Sequence, residues 1–490
     1  MMLNTVLCLG DNTEETDHKT TQLAKQHNSI NHGLLQGYSS LNTGYYHTSV
    51  ADCSYQDLKK LIQEVDQVYV FDQQYEKPEN FYRTIEIAHE SDRAKYENQT
   101  HIDTYLYWSN LVKNNKSFCI LPFIELQAQD KQTTLCCRDS TPVCDSDKVG
   151  DWQTNPAYNE IRNKMLQGIK IPEHCQTCYD METKNISPRI NDTIEWAHRL
   201  KLNTVEDLKS ITSPAYYEVR ASNVCNLQCR MCAPQWSNQI QKEYQRLGWP
   251  TANYEFEYTG FDIVDFDNLQ RLYVAGGEPT VQTQFLDFLK KQIASGNTDF
   301  ELHINTNATA INKSFRKLIQ HFPNVIFTVS IDGFDKLNHY IRYPSNWDNI
   351  IDNCQWIQQQ GYQLTFNTVA QVLNMGRLHE LFYFLSRNFP DAWLMCNYAM
   401  GICRFEAYPD QQSALTDLYN IKNSTYYHNN KAFTEMIDGM INYFKNQFIP
   451  VKDNKYYTKF IEYNDALDRS RNIRLQDYRP NFIKEHALWD

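Results

Sequence analysis

Cys225, Cys229 and Cys232 stand together in the stretch Ser222-Asn-Val-Cys-Asn-Leu-Gln-Cys-Arg-Met-Cys-Ala233, spaced C-x3-C-x2-C. They follow Tyr216–Arg220, a run whose composition predicts a strand. Three thiolates on one short loop can hold three corners of a cubane iron–sulfur cluster, because cysteine thiolate is the general ligand of such clusters. No fourth cysteine is supplied locally, so one iron is left open for a small ligand. An incomplete set of this kind implies chemistry at the cluster rather than electron storage alone. Zinc is the alternative, but structural zinc closes a tetrahedron with four ligands, usually from paired C-x2-C units.

Further along, Arg271-Leu-Tyr-Val-Ala-Gly-Gly-Glu-Pro279 reads as an apolar strand ending in Gly-Gly-Glu-Pro. Gly276 and Gly277 permit close backbone approach, and Glu278 with the neighbouring carbonyls can accept from an ammonium group. The cysteine spacing followed by this motif, each after a strand, resembles the radical S-adenosylmethionine superfamily. The resemblance implies that Gly276, Gly277, Glu278 and Pro279 bind the amino group of the cofactor's methionine. One departure is Met231, which precedes the third cysteine where an aromatic residue often stands. As an apolar residue it can still pack over the adenine.

Those motifs need a scaffold that brings strand ends together. From about 214 to 402, apolar runs at Tyr216–Arg220, Arg271–Ala275, Glu301–Asn305, Val325–Ile331, Gln363–Val369 and Trp393–Tyr398 alternate with helical patterns. The helical patterns are Phe285–Ile293, Ser314–His321, Trp347–Gln359 and Leu378–Phe389. Such alternation predicts an α/β fold with a parallel sheet and right-handed crossovers. Six units match the partial (β/α)6, TIM-like barrel of the resembled superfamily, expected over 212–405. Function in such barrels sits at the C-terminal strand ends. There the resemblance places Asn307, after the third strand, and Ser330 and Asp332, of a Ser-x-Asp pattern after the fourth, near the cofactor. Ordinary turn chemistry explains Asn307 and Asp332 equally well. Asn367, on the fifth strand, is a further candidate.

A second group of cysteines lies upstream, in Phe118-Cys-Ile-Leu-Pro-Phe-Ile-Glu125, Thr133-Thr-Leu-Cys-Cys-Arg-Asp139 and Glu173-His-Cys-Gln-Thr-Cys178. Residues 115–205 resemble the twitch, or SPASM-like, region that carries an auxiliary 4Fe–4S cluster in many radical enzymes. The matched ligands are Cys119, Cys136, Cys175 and Cys178, with Cys137 the alternative to Cys136. Cys136 places Asp130-Lys131 where an Asp-Gly turn usually stands, although the glycine is missing. Twitch regions usually follow the barrel, whereas this one precedes it. Four cysteines also suit a small zinc ribbon.

At 490 residues the chain is long enough for several domains. Residues 1–112 read as a small α/β domain, with strands at Leu3–Leu9 and Gln67–Phe71 around a helix at Tyr55–Val65. His47 and Asp52 read as turn residues before that helix and Ser54 as its cap. Residues 406–490 read as a helical cap, with stripes at Gln412–Ile421 and Phe433–Phe448 and an ion pair between Asp468 and Arg471. The net charge of −12 argues against general affinity for nucleic acid. No run is long and apolar enough for a membrane span, and no signal peptide is read at the N-terminus. Fourteen cysteines without a secretion signal argue for a reducing, cytoplasmic setting. Cys8, Cys53, Cys144, Cys354, Cys396 and Cys403 are apolar filler on this reading. Cys396 and Cys403 follow the sixth strand closely enough to be considered as hydrogen-atom donors. Arg220, His339 and Arg342 lie near strand ends, where they could bind an anion.

The resemblance implies an enzyme that binds S-adenosylmethionine at the open iron of a reactive 4Fe–4S cluster and cleaves it reductively. The resulting 5′-deoxyadenosyl radical removes a hydrogen atom from a substrate, while the protein positions the reactive carbon. It also implies a one-electron reductant such as a flavodoxin or ferredoxin. A peptide or protein is the first substrate expectation, and a sugar or nucleotide metabolite the second. A non-catalytic metal-binding scaffold is the rival from another class, and the intact Gly-Gly-Glu-Pro speaks against it.

Overall fold

The computed structural model describes the backbone of strands within residues 5–96 and then residues 99–482, apart from 130, 183–187, 253, 255–259, 428–430, 451–452 and 481. Two compact units emerge: residues 1–123 with 159–211, and residues 124–158 with 212–490.

In the first unit a five-stranded sheet runs in the order Asn31–Leu34, Gly44–Ser49, Thr5–Gly10, Gln67–Val70, Ala94–Tyr96. All its pairings are parallel. His47 falls in the strand Gly44–Ser49 and not in a turn, while the expected helix at Tyr55–Val65, Asp52 and Ser54, and the side chains of His47, Cys8 and Cys53, lie outside the described residues. Helices Gln99–Asn114, Pro172–Glu182 and Pro188–Arg199 follow. Trp108 is fully buried, donates from Nε1 to the Leu202 carbonyl at 2.7 Å and stacks on Phe118. A buried indole N–H would otherwise lose its hydrogen bond to water at a cost of about 1–3 kcal/mol.

The second unit is built on one sheet. Strands Tyr216–Arg220, Arg271–Val274, Glu301–Thr306, Asn324–Ser330, Gln363–Ala370 and Trp393–Tyr398 pair in sequence order, all parallel. Helices Thr283–Ser295, Lys313–Ile319, Trp347–Gln359 and Leu378–Asn388 form crossovers between strands from the second onward. Leu302, Ile304 and Thr306 are buried on one face, with Phe285, Phe315 and Phe322 also in the core. Each such apolar side chain contributes roughly 1.5–3 kcal/mol by leaving water. The opposite face carries the polar set His303, Asn305, Thr328 and Ser330, which line the inside of the curved sheet. Alternation puts successive side chains on opposite faces.

The sheet extends beyond the six strands read from sequence. Glu125–Gln129 pairs parallel with Tyr216–Arg220, and a hairpin through Gln132–Thr134 and Cys144–Asp145 continues the edge. The upstream cysteine-rich segment is therefore divided: 124–158 belongs to the barrel sheet and 159–211 to the other unit. Lys131 turns the hairpin with φ 62°, the left-handed conformation a glycine would adopt freely.

Helices Gln411–Lys422, Lys431–Asn446 and Lys455–Arg471 complete this unit. The expected pair between Asp468 and Arg471 does not form. Asp468 instead takes Arg230 at 2.5 Å, and Arg471 grips Glu243 through Nε at 2.9 Å and Nη2 at 2.5 Å. Both pairs are buried, and both bind the last helix to the chain around the cysteine loop. Asp468 also accepts from Tyr340 Oη and Leu475 N, so its carboxylate is well satisfied. Losing one partner of such a pair strands a buried charge. We expect Asp468→Ala to lower unfolding free energy by about 3–5 kcal/mol, read by urea denaturation, whereas Asp477→Ala at an exposed pair should change little.

Asp417 accepts the backbone N–H groups of Leu378 and His379 and so caps a neighbouring helix. Burial pushes its carboxyl up to about 7 against these bonds. The folded state therefore holds the proton more tightly than the unfolded chain. Stability from this group is full below the ordinary carboxyl range and is lost as pH rises towards 7. Asp417→Asn should flatten that slope in a series of unfolding curves from pH 4 to 8.

Candidate active site

The cysteine loop leaves the first barrel strand at its C-terminal end and crosses the mouth of the barrel. Its path is set by hydrogen bonds rather than by regular structure. Asn238 accepts from Cys225 N at 3.1 Å, and its own N–H donates to the Asn223 carbonyl. Ser237 Oγ donates to the Leu227 carbonyl. Gln228–Cys229 pairs antiparallel with Arg342–Tyr343, a short ribbon that pins the middle of the loop. Arg230 anchors the next residue: it is fully buried, its ring-facing guanidinium lies 3.7 Å from the Tyr340 centroid, and it pairs with Asp468.

The three cysteines line one cavity of about 300 Å³ together with Met231, Gly276, Gly277, Asn307, Ser330 and Arg342. Trp236, Asn305 and Thr306 also contribute to its wall. Burial pushes all three thiols up: Cys232 to about 12, reinforced by Cys229, and Cys225 further, again with help from Cys229. At Cys229 burial raises the thiol while the Arg342 guanidinium pulls it back. Thiols in this state bind metal only by releasing protons, so occupancy and ionisation are coupled. Among the described residues, no group of three His, Cys, Asp or Glu side chains is placed to hold a single metal ion. As a donor set, three thiols without a local fourth ligand suit a cubane cluster, each thiolate holding one iron, better than a closed tetrahedral zinc.

Gly-Gly-Glu-Pro is seated directly against this loop. A Cβ on Gly277 would stand 2.2 Å from the Val224 carbonyl oxygen, and one on Gly276 3.0 Å from Arg220 Cβ. Both glycines also have positive φ, 80° at Gly276 and 54° at Gly277. Glu278 N donates to the Val224 carbonyl at 2.9 Å. Gln282, which sequence reasoning did not single out, donates from Nε2 to the carbonyls of both Gly276 and Ser222. It bridges the two motifs.

The Glu278 side chain is turned into the protein. It does not line the cavity; its carboxylate is buried and accepts from Thr280 N, Thr280 Oγ1, Thr306 Oγ1 and Asn307 N. Burial pushes its carboxyl up, and these bonds oppose the rise. The side chain ties the second strand end to the third. Pro279 opens a short 3-10 turn beside it and is likewise buried away from the cavity. Asn307 does face the cavity, and its Nδ2 donates to Asn226 on the cysteine loop at 2.9 Å. Ser330 lines the cavity and donates to Asn305.

Asp332 also lies behind the cavity. It is fully buried, accepts from Val369 N at 2.7 Å and sits 2.7 Å from Arg342 Nε. Burial pushes its carboxyl up, with Arg342 and Val369 pulling the other way. Asn367 bonds Asn397 on the last strand instead of reaching the cavity. His339 is engaged by the Ser345 carbonyl at 2.6 Å. Cys396 and Cys403 are buried outside the cavity, and Cys403 donates to the Arg230 carbonyl. Arg220 stacks on Trp236 and pairs with Glu218 inside the barrel.

Of the upstream cysteines, Cys119, Cys175 and Cys178 belong to the first unit and lie close enough for their charges to interact. Cys175 and Cys178 are one helical turn apart on Pro172–Glu182, which puts them on one face. Arg189 donates to the Phe118 carbonyl and to Glu182, holding the chain beside Cys119. Cys136 and Cys137 lie in the barrel unit, after the hairpin strand Gln132–Thr134. Cys137 is exposed and interacts electrostatically with the barrel-lining Tyr216, Arg220 and Tyr273.

The fold and site thus define an α/β unit on a central parallel sheet, with a three-thiol cavity at the C-terminal ends of its strands. Residues 219–382 match the Radical SAM superfamily, and the chain carries a domain of that enzyme superfamily. No curated protein matches the sequence. Solved structures that resemble it include anSMEcpe with bound AdoMet, at 13% identity over 46% of this chain and 59% of that one, TM-score 0.33. Another is SuiB of Streptococcus suis bound to S-adenosylmethionine, at 15% identity over 60% of each chain, TM-score 0.31. A third is the radical S-adenosylmethionine methyltransferase TsrM of Kitasatospora setae, with cobalamin and a [4Fe-4S] cluster bound. It shows 9% identity over 81% of this chain and 75% of that one, TM-score 0.29. The match spans 59% of the anSMEcpe chain and 60% of SuiB.

Gly277 supplies the test of this geometry. We expect Gly277→Ala to displace the cysteine loop and lower iron retention after reconstitution. Gly248→Ala, with similar φ but nothing within 4 Å of the added Cβ, should retain iron and lose only the roughly 1–3 kcal/mol of backbone strain.

Proposed function

We propose that the protein is a radical S-adenosylmethionine enzyme acting on a peptide or protein. The observation that carries this is the convergence of Cys225, Cys229, Cys232 and Gly-Gly-Glu-Pro on one cavity. When bound, a 4Fe–4S cluster and S-adenosylmethionine would supply the radical chemistry, with hydrogen-atom removal from an unactivated carbon. Cys225, Cys229 and Cys232 would hold the cluster. Met231 offers an apolar surface for the adenine, and Asn307 and Ser330 offer polar contacts to the rest of the cofactor. The Gly276–Gly277 backbone is the surface against which its methionine amino group would rest.

The peptide reading draws support from the open side of the barrel. Met395 and Asn397, on the last strand, point inward yet are exposed. A chain-like substrate would meet the inner face of the sheet at these two residues. The second reading, a sugar or nucleotide metabolite, would use the polar barrel interior around His303 and Thr328. A scaffold without catalysis has no use for two glycines packed this closely against the cysteine loop.

Cys119, Cys175 and Cys178, near one another in the first unit, are proposed as ligands of a twitch-like auxiliary 4Fe–4S cluster, and the resemblance alone adds Cys136 as the fourth, with Cys137 its alternative. The same reading places the enzyme in the cytoplasm, served by a flavodoxin or ferredoxin. Among the described residues, no helix is long and apolar enough to cross a membrane.

Cys229→Ala should abolish formation of 5′-deoxyadenosine from S-adenosylmethionine in reduced, reconstituted protein while leaving most of the fold intact by circular dichroism. Unchanged cleavage would exclude this cysteine from the reactive site. Iron content separates the auxiliary readings: about eight irons per wild-type chain fits two cubane clusters, and about four leaves the upstream cysteines to zinc or to no metal. Coexpression with candidate peptides, read by mass spectrometry, should show a crosslink or the loss of two hydrogens. No mass change across candidates would favour the metabolite.

A further inference from the structure

Arg342 holds a fixed position beside one cysteine of the loop. Its Nη1 stands 4.0 Å from Cys229 Sγ. The backbone gives it little room to move, because Arg342 pairs with Cys229 in the two-residue ribbon and Arg230 N donates to the Ile341 carbonyl at 2.9 Å. Behind it stands Asp332, with Oδ2 2.7 Å from Arg342 Nε. Arg342 is 9% exposed and Asp332 is 0% exposed. Asp332 is held in turn by the Val369 N–H on the fifth barrel strand.

Other charges face the same thiol. Arg471 acts on Cys229 through space, but Glu243 takes it in a bidentate grip. Arg230 turns away to Asp468 and Tyr340. Of these three buried arginines, Arg342 both reaches the Cys229 sulfur and stands in the cavity wall.

We propose that Arg342 sets the reduction potential of the cluster through Cys229, and that Asp332 moderates it. The inference rests on the cluster reading above. When bound at the three cysteines, a cluster reduced by one electron from a low-potential donor would carry, with its thiolates, one more negative charge. A buried cation at a ligand sulfur favours that reduced form, because charges interact strongly where water is excluded. Cluster potentials respond to net charge and to hydrogen bonds at the sulfurs. Asp332 opposes the cation from behind, so the pair works as a calibrated field and not as a bare positive charge. Arg342 is a positioning residue in this role, acting through Cys229.

The test is an EPR-monitored redox titration of the anaerobically reconstituted full chain, without S-adenosylmethionine and with dithionite as the one-electron donor. Arg342→Gln should move the midpoint to more negative potential, and Asp332→Asn to more positive potential. Arg342→Lys, which keeps the charge, should stay nearer the wild type than Arg342→Gln does. Opposite shifts from the two partners of one ion pair are not produced by general loosening of the loop, which moves both variants the same way. Iron content and line shape confirm that the same cluster is compared. If Arg342→Gln does not hold the cluster, the other two variants decide. A positive shift in Asp332→Asn with a small shift in Arg342→Lys supports the assignment. An unmoved midpoint in Asp332→Asn, or a negative one, overturns it. A wild-type chain that shows no cubane signal overturns the cluster reading itself and takes this inference with it.

Discussion

The seating of the cysteine loop on Gly-Gly-Glu-Pro is the constraint on which the site depends. The loop has almost no regular structure of its own, yet it must present three sulfurs to one cavity. Gly277 lets it approach to a distance that any side chain would forbid. Glu278 N and Gln282 Nε2 then fasten the two segments through three backbone carbonyls. Because the fastening is to the end of a barrel strand, the position of the sulfurs is inherited from the sheet. This is the usual way an α/β fold converts rigid strands into a precise site at their C-terminal ends.

Charge buried around the loop completes its support. Arg230 with Asp468 and Arg471 with Glu243 bind the cysteine region to a helix more than two hundred residues downstream. Buried pairs of this kind add little net stability compared with apolar packing, but breaking one is costly, so they specify a single arrangement. The C-terminal helix is therefore part of the site's architecture, although none of its residues lines the cavity. Asp332 with Arg342 is a third pair of the same type, turned towards a sulfur.

Much of this was legible in the sequence. The six barrel strands fall within a residue or so of the runs read from Tyr216 to Tyr398, since each buries an apolar face and is bounded by turn residues. Glu125–Gln129 was not read as a strand. Its inward positions are Glu125, Gln127 and Gln129, and a strand facing a polar interior carries too little apolar signal. The three cysteines, both glycines, Asn307 and Ser330 line one cavity. The carboxylates of Glu278 and Asp332 lie behind its wall, because a motif shows that a carboxylate is present and not which way it faces; Glu278 is taken up by N–H and O–H donors and Asp332 by Val369 N and Arg342. The partner of Asp468 was misread for a related reason. Arg471 lies three residues away on the same helix, while Arg230 is visible only once the chain has folded.

The central claim is that the three thiols hold a cluster with one iron open to S-adenosylmethionine. The direct test is the EPR spectrum of the reconstituted, dithionite-reduced chain recorded with and without S-adenosylmethionine. The account predicts a reduced cubane signal whose g-values change when S-adenosylmethionine is added, and a loss of that change in Gly277→Ala. A cubane signal that S-adenosylmethionine leaves unaltered would mean that no iron is open to it, and would contradict the account.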